Sequence, residues 1–167
     1  MAERTLLAAC AFGVAALASA TLAAQDRYAG PWTIVRGDPA PWVGRGGVVD
    51  PAEVARLVGS EVVFEAKRIR GPWPLACAAP RYALAQVPPE GLFQGSLAAH
   101  GDPSAGADAL ATRLGFAARP IATLGTGCEG AIDFHATGDD ELLFALDNVI
   151  YRLHRAAAPV QPPRSPP

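Results

Sequence analysis

The chain has 167 residues, half of them hydrophobic, and 14 basic against 16 acidic side chains give a formal net charge of −2. A chain of this size can bury one modest hydrophobic core. Its near balance of charge gives no electrostatic footing for nucleic acid or an anionic membrane surface.

Arg4, the almost unbroken apolar run Leu6 to Leu22 and the small residues Ala18-Ser19-Ala20 make the three parts of a secretory signal. Cleavage after Ala20 or Ala24 fits equally well. Residues 1–24 are therefore read as a signal peptide and 26–155 as one β-rich domain. Gln25-Asp26-Arg27 carries no cluster of basic stop-transfer residues, which weighs against a retained membrane anchor. Leu7-Ala8-Ala9-Cys10 spells a lipobox, but only five residues separate Arg4 from Cys10. A signal needs roughly 7–15 apolar residues before the cut, so Cys10 is read as a passenger. The expected destination is periplasmic or secreted, with no membrane span after signal removal.

Two cysteines then remain, Cys77 and Cys128. In an oxidising compartment they are expected to form one disulfide closing a loop of about 50 residues, worth roughly 4 kcal/mol in the chain-entropy model. Their separation and the lack of a CxxC pair argue against redox catalysis and against a thiolate zinc site.

Along the mature chain, "DRYAGPWTIV" (26–35) reads as a first strand with Trp32 and Ile34 inward and Thr33 and Val35 outward. "DPAPWVGRGG" is a loop in which Trp42 could line a pocket mouth or plug a barrel end. "DPAEVARLVGS" predicts a helix over about 51–58. Asp50 suits the N-cap, Pro51 the first helical position and Glu53 the capping-box position, with Val54, Leu57 and Val58 on one face. "EVVFEAKRI" alternates as a strand, with Val62, Phe64 and Ala66 on one side. The following "KRIRGPW" gathers Lys67, Arg68 and Arg70 beside Trp73. An anion or carbohydrate surface is one reading; an exposed strand end whose basic stems discourage edge pairing is the preferred one.

"RYALAQV", "LFQGSLA", "PIATLG" and "AIDFHAT" read as further short strands, and a second helix fits about 105–114, where Leu110 and Leu114 align. "DDELLFALDNVIYRLHR" is ambiguous, since Leu142, Leu146, Val149 and Leu153 sit at helical spacing. Phe144, Val149, Ile150 and Tyr151 favour strand, and Asp147-Asn148 suits a tight turn, so it is read as a hairpin. The proline-rich stretch 156–167 cannot pack a core and is read as a disordered tail. The fold class is therefore mainly β: a small barrel-like or strongly bent antiparallel sheet of about eight strands, with two short helices and one disulfide.

Few residues suggest chemistry. His100, His135 and His154 lie on separate segments without metal-ligand spacing. Asp133 and His135 lie two apart on a strand and so share a face, as a base and its orienting carboxylate would. If Ile132 and Phe134 point inward, the pair points to water. Asp139-Asp140-Glu141 lacks the alternating ligands and central glycine of a calcium loop. No nucleophile elbow, phosphate loop or dinucleotide fingerprint occurs. No metal and no cofactor is implied.

Tyr28-Ala29-Gly30-Pro31-Trp32 resembles the first-strand motif of lipocalins and fatty-acid-binding proteins, an aromatic, then Gly, then Trp, alternating. The resemblance implies that the glycine bends the chain into the first strand. It also implies that Trp32 closes the barrel bottom against a basic side chain near the last strand, with Arg152 and Arg155 as candidates. A disulfide is implied too, without fixing which cysteines pair. Pro31, the helix at Pro51 and the lack of a long C-terminal helix depart from the pattern. "LVGSEVVF", "GPWPLAC" and "LFALDNVIYRL" are similar in look to small exported bacterial proteins, a likeness that carries no chemistry.

These readings converge on an exported, non-enzymatic binding protein. Its ligand is either a small apolar molecule in the barrel or a protein partner at its loops, and a lysozyme-inhibitor-like role is one form of the second. Trp42, Trp73 and Phe93 are the candidate ligand contacts. The alternative is a secreted hydrolase or metal-dependent enzyme using Asp133 and His135.

Overall fold

The computed structural model describes residues 27–44, 48–100 and 106–156. The signal run with Cys10, and the tail from 157 onward, lie outside the described residues. Eight antiparallel strands form one curled half-barrel sheet: β1 (Gly30–Pro39), β2 (Glu61–Glu65), β3 (Arg68–Arg70), β4 (Ala83–Val87), β5 (Ile121–Gly125), β6 (Asp133–Ala136), β7 (Glu141–Leu146) and β8 (Val149–Arg155). The helices are α1 (Pro51–Leu57), α2 (Ser96–His100) and α3 (Gly106–Arg113), with a 3-10 turn at Pro89–Gly91. Across the sheet the order is β3-β2-β1-β8-β7-β6-β5-β4. Consecutive strands are neighbours except β3 and β4, which form the two edges, and the last strand pairs with the first. The half-barrel is an up-and-down meander open at one seam.

Gly30, with φ +98°, starts β1, and Trp32 and Ile34 behind it are fully buried. The register of β1 on β8 then shifts between Ile34 and Arg36. This bulge turns Arg36 outward and sets Gly37 opposite Tyr151 on the inner face. A Cβ on Gly37 would meet Tyr151 Cε1 at 2.9 Å, so only glycine lets that ring lie against the strand.

At α1 the Asp50 carboxylate accepts from the Ala52 N–H at 2.9 Å, as expected of an N-cap. Glu53 pairs with Arg56, one turn on, through an Arg56 Nε–Oε2 bond of 2.8 Å. "EVVFEAKRI" is a hairpin rather than one strand. β2 and β3 pair antiparallel around Ala66-Lys67, and the Glu65 carboxylate takes both Arg68 Nε (2.5 Å) and Arg70 Nε (2.8 Å). The basic cluster is thus partly neutralised by an acid on its own hairpin. Residues 141–155 form the expected hairpin. Asp147 and Asn148, at φ 48° and 67°, make the two-residue turn that matches strand twist.

"LFQGSLA" is not a strand. Phe93 and Gln94 take positive φ (53° and 55°), which breaks any extended run, and α2 starts at Ser96. Leu92, Phe93 and Leu97 are nevertheless all buried, because this segment and α3 cover the outer face of the sheet.

Two cores result. One fills the concave face with Trp32, Ile34, Phe64, Phe134, Phe144 and Tyr151 among others. It spans the half-barrel: the Phe64 ring of β2 meets the Phe134 ring of β6 edge-on at 4.9 Å. The other packs Leu92, Phe93, Leu97, Leu110 and Phe116 against Ile121, Leu143 and Ile150 on the opposite side. The alternation of β5, β7 and β8 feeds both. At the seam, Cys77 pairs with Ile69 of β3 and is disulfide-bonded to Cys128, just beyond β5. Tyr82, which leads into β4, donates its hydroxyl to the Glu65 carbonyl at 2.9 Å. The two sheet edges are therefore tied by one covalent and one hydrogen bond.

Candidate functional site

Asp133 and His135 do share a face of β6, but that face does not point to water. With Ile132 and Phe134 in the concave core, His135 enters the outer core and is 1% exposed beneath Phe93 and Phe116. Both ring nitrogens are engaged. Nε2 accepts the Phe93 N–H at 3.1 Å, so Nδ1 carries the hydrogen and donates to Thr123 Oγ1 at 2.8 Å. Burial drives the histidine pKa down to about 4. Asp133 is engaged by Gln94 Nε2 at 3.2 Å rather than by His135. A neutral imidazole with both nitrogens occupied has no lone pair to offer a proton or a metal. Its bond instead holds the left-handed backbone at Phe93 in place.

The other sequence candidates separate. Phe93 is 1% exposed and belongs to the outer core, and Trp42 packs on it at 5.6 Å between ring centroids. Trp32 is fully buried, and its indole N–H donates to the Tyr28 carbonyl at 2.8 Å. Of the two arginines considered for it, Arg155 lies over the ring, 4.3 Å from the centroid. Arg152 stands elsewhere, bonded to Glu141 and to the Leu114 carbonyl. The acidic triplet is taken up by bases of this chain: Asp139 by Arg27, Asp140 by Arg155, and Glu141 by Arg152 and His154. Burial pushes the Glu141 carboxyl up, but hydrogen bonds from Thr137 and His154 and the charge of Arg152 hold it below its ordinary value. A hollow of about 600 Å³ over Thr137, Glu141, His154 and Arg155 is thus lined by charges already paired with one another. Among the described residues, no group of three or more His, Cys, Asp or Glu side chains could hold a metal ion.

Trp73 differs from all of these. It is 78% exposed, far more than any other aromatic side chain in either core. Its loop is anchored on both sides: Leu75 is buried and bonds back to the Pro72 carbonyl, and Arg56 of α1 donates to the Trp73 carbonyl at 2.7 Å. Beside it opens a hollow of about 440 Å³. Val48, Asp50 and Glu53 line one wall, the Asp147-Asn148 turn another, and Val149 and Tyr151 of β8 the floor. The Tyr151 ring is fully buried, stacked on Phe144 at 5.0 Å. Its hydroxyl and that of Tyr28 are the buried side-chain polar atoms without a hydrogen-bond partner among the described residues. Burial raises the Tyr151 pKa, and the carboxylates of Glu53, Asp147 and Asp50 raise it further against the opposing charge of Arg56.

No family model, no curated protein and no solved structure matches the chain.

What the hollow can do follows from its walls. Among the described residues, three carboxylates line it, the Arg56 guanidinium pairs with one of them, Glu53, and an exposed indole stands beside them. The hollow's carboxylate oxygens are acceptors and its apolar face is aromatic, groups that hold a guest by hydrogen bonding and stacking. Sequence reading singled out Trp73 but not its neighbours. Asp50, Glu53, Asp147 and Tyr151 come from segments up to about 100 residues apart, and each has a local structural reason to be where it is.

Proposed function

We propose that this chain is an exported, non-enzymatic binding protein that meets a protein partner through its loops, at the hollow beside Trp73. The observation that carries this reading is the filled concave face. Trp32, Phe134, Phe144 and Tyr151 are each at most 2% exposed there, which leaves the half-barrel occupied by its own side chains. A small apolar ligand would need that space. An exposed tryptophan on an anchored loop, by contrast, is the residue type that dominates protein interfaces. Inhibition of an envelope-targeting hydrolase such as a lysozyme is one form this role would take. The alternative hydrolase built on Asp133 and His135 draws no support from a histidine with both nitrogens engaged in the core.

Native mass spectrometry of the protein isolated from its own cells tests the reading. The expected result is a discrete protein adduct that the Trp73→Ala variant loses, with no lipid bound to either. A stoichiometric lipid, or an adduct indifferent to Trp73, overturns it.

A further inference from the structure

We propose that the hollow beside Trp73 is a socket for a cationic side chain, an arginine or a lysine, of the partner; this rests on the protein-binding reading above. Three features converge. The first is charge. Asp50, Glu53 and Asp147 surround the hollow, and among the described residues only Glu53 has a salt-bridge partner, Arg56. Asp50 spends one oxygen on the Ala52 N–H, and among the described residues no donor meets the other. The second is the Tyr151 hydroxyl in the floor. Among the described residues it is buried without a partner, and its oxygen lies near three carboxylates, those of Glu53, Asp147 and Asp50, against one guanidinium, that of Arg56, a balance that favours a donor cation as guest. The hydroxyl is covered by its neighbours, so an arriving N–H reaches it by displacing them and then supplies the hydrogen bond that it lacks. The third is the Trp73 indole, whose open face next to acids suits stacking of a guanidinium or ammonium stem. A neutral sugar would use the indole as well and donate hydroxyls to the carboxylates, but only a cation also offsets the charge of Asp50 and Asp147.

The purified protein, with its disulfide intact, is titrated with N-acetyl-L-arginine amide. In parallel it is titrated with N-acetyl-L-citrulline amide, which keeps the shape and removes the charge. Two-dimensional NMR follows the Trp73 indole and the Asn148 and Tyr151 amides. Saturable shifts confined to the hollow are expected for the arginine probe, with binding about tenfold weaker for citrulline, as loss of a charge-assisted pair predicts. Asp147→Asn and Asp50→Asn keep the turn and cap chemistry and should weaken arginine binding several-fold. Tyr151→Phe should weaken it too while leaving the thermal midpoint unchanged or higher, because it deletes an unpartnered buried hydroxyl. A purely structural Tyr151 would leave probe binding untouched.

Equal binding of citrulline, shifts elsewhere on the sheet, or saturation by chitotriose but not by arginine overturns the socket. The two experiments fail separately. A Trp73-dependent partner without an arginine response overturns the socket and leaves the protein-binding reading standing. An arginine response with only lipid bound in the native protein overturns the protein-binding reading.

Discussion

At His135, burial rather than a neighbouring charge sets the titration. The side chain is 1% exposed, its neighbours are aromatic, and its pKa falls to about 4 from an ordinary 6.5. The unfolded chain therefore binds a proton below pH 6.5 that the native protein refuses until about pH 4. Stability contributed by the neutral imidazole is complete above pH 6.5 and drains away as pH falls through that window. At about 1.4 kcal/mol per pH unit the loss reaches about 3 kcal/mol. Urea denaturation at pH 7 and pH 4 should show this loss in the native sequence. It should be smaller by most of that amount in His135→Gln, where the carboxylates still titrate. An equal pH dependence in both would mean that the imidazole is not held neutral by burial.

Among the elements, the β7–β8 hairpin shows how short-range chemistry decides a structure. Its apolar residues fit a helix as well as two strands, and the Asp147-Asn148 turn breaks the tie. Both residues adopt positive φ, which asparagine and aspartate tolerate and which gives the turn the right-handed twist of its strands. Asn148→Val, with a branched Cβ in that region, should cost about 1–2 kcal/mol by denaturant titration, and Asn148→Gly a few tenths at most. A valine as stable as the native residue would mean that the turn is of another type. The same hairpin displays Asp147 at the hollow, so the turn residue that shapes the strand pair also supplies one of the site's charges. "LFQGSLA" went the other way. Its length and flanking turn residues suggest a strand, but the Phe93 N–H finds His135, 42 positions away, and the chain bends around that bond.

For the whole molecule, the seam between β3 and β4 is the weak line of the half-barrel. The Cys77–Cys128 bond crosses it and joins residues 51 positions apart, and Tyr82 adds a hydrogen bond to Glu65. Replacing both cysteines with serine should lower stability by about 2–5 kcal/mol. Hydrogen exchange should rise first at β3 and β4, whose outer edges the tie protects. Thiol titration of the unfolded but unreduced domain should find no reactive group at Cys77 or Cys128. Protection at β3 and β4 unchanged in the double variant would show that the concave core alone holds the seam.

The sequence by itself determined the β-rich class, the inward Trp32 and Ile34, the α1 cap at Asp50, the last hairpin and the pairing of the two cysteines. Each of these follows from contacts within a few residues, from the two-residue period of strands, or from simple counting. Only the tertiary structure decided which arginine covers Trp32, that His135 faces a second core, and that Asp50, Glu53, Asp147 and Tyr151 share a hollow with Trp73. Those outcomes depend on a bulge in β1, on a helical layer over the outer face and on the curl of the sheet. Long-range packing sets all three, and no local pattern in the chain encodes them.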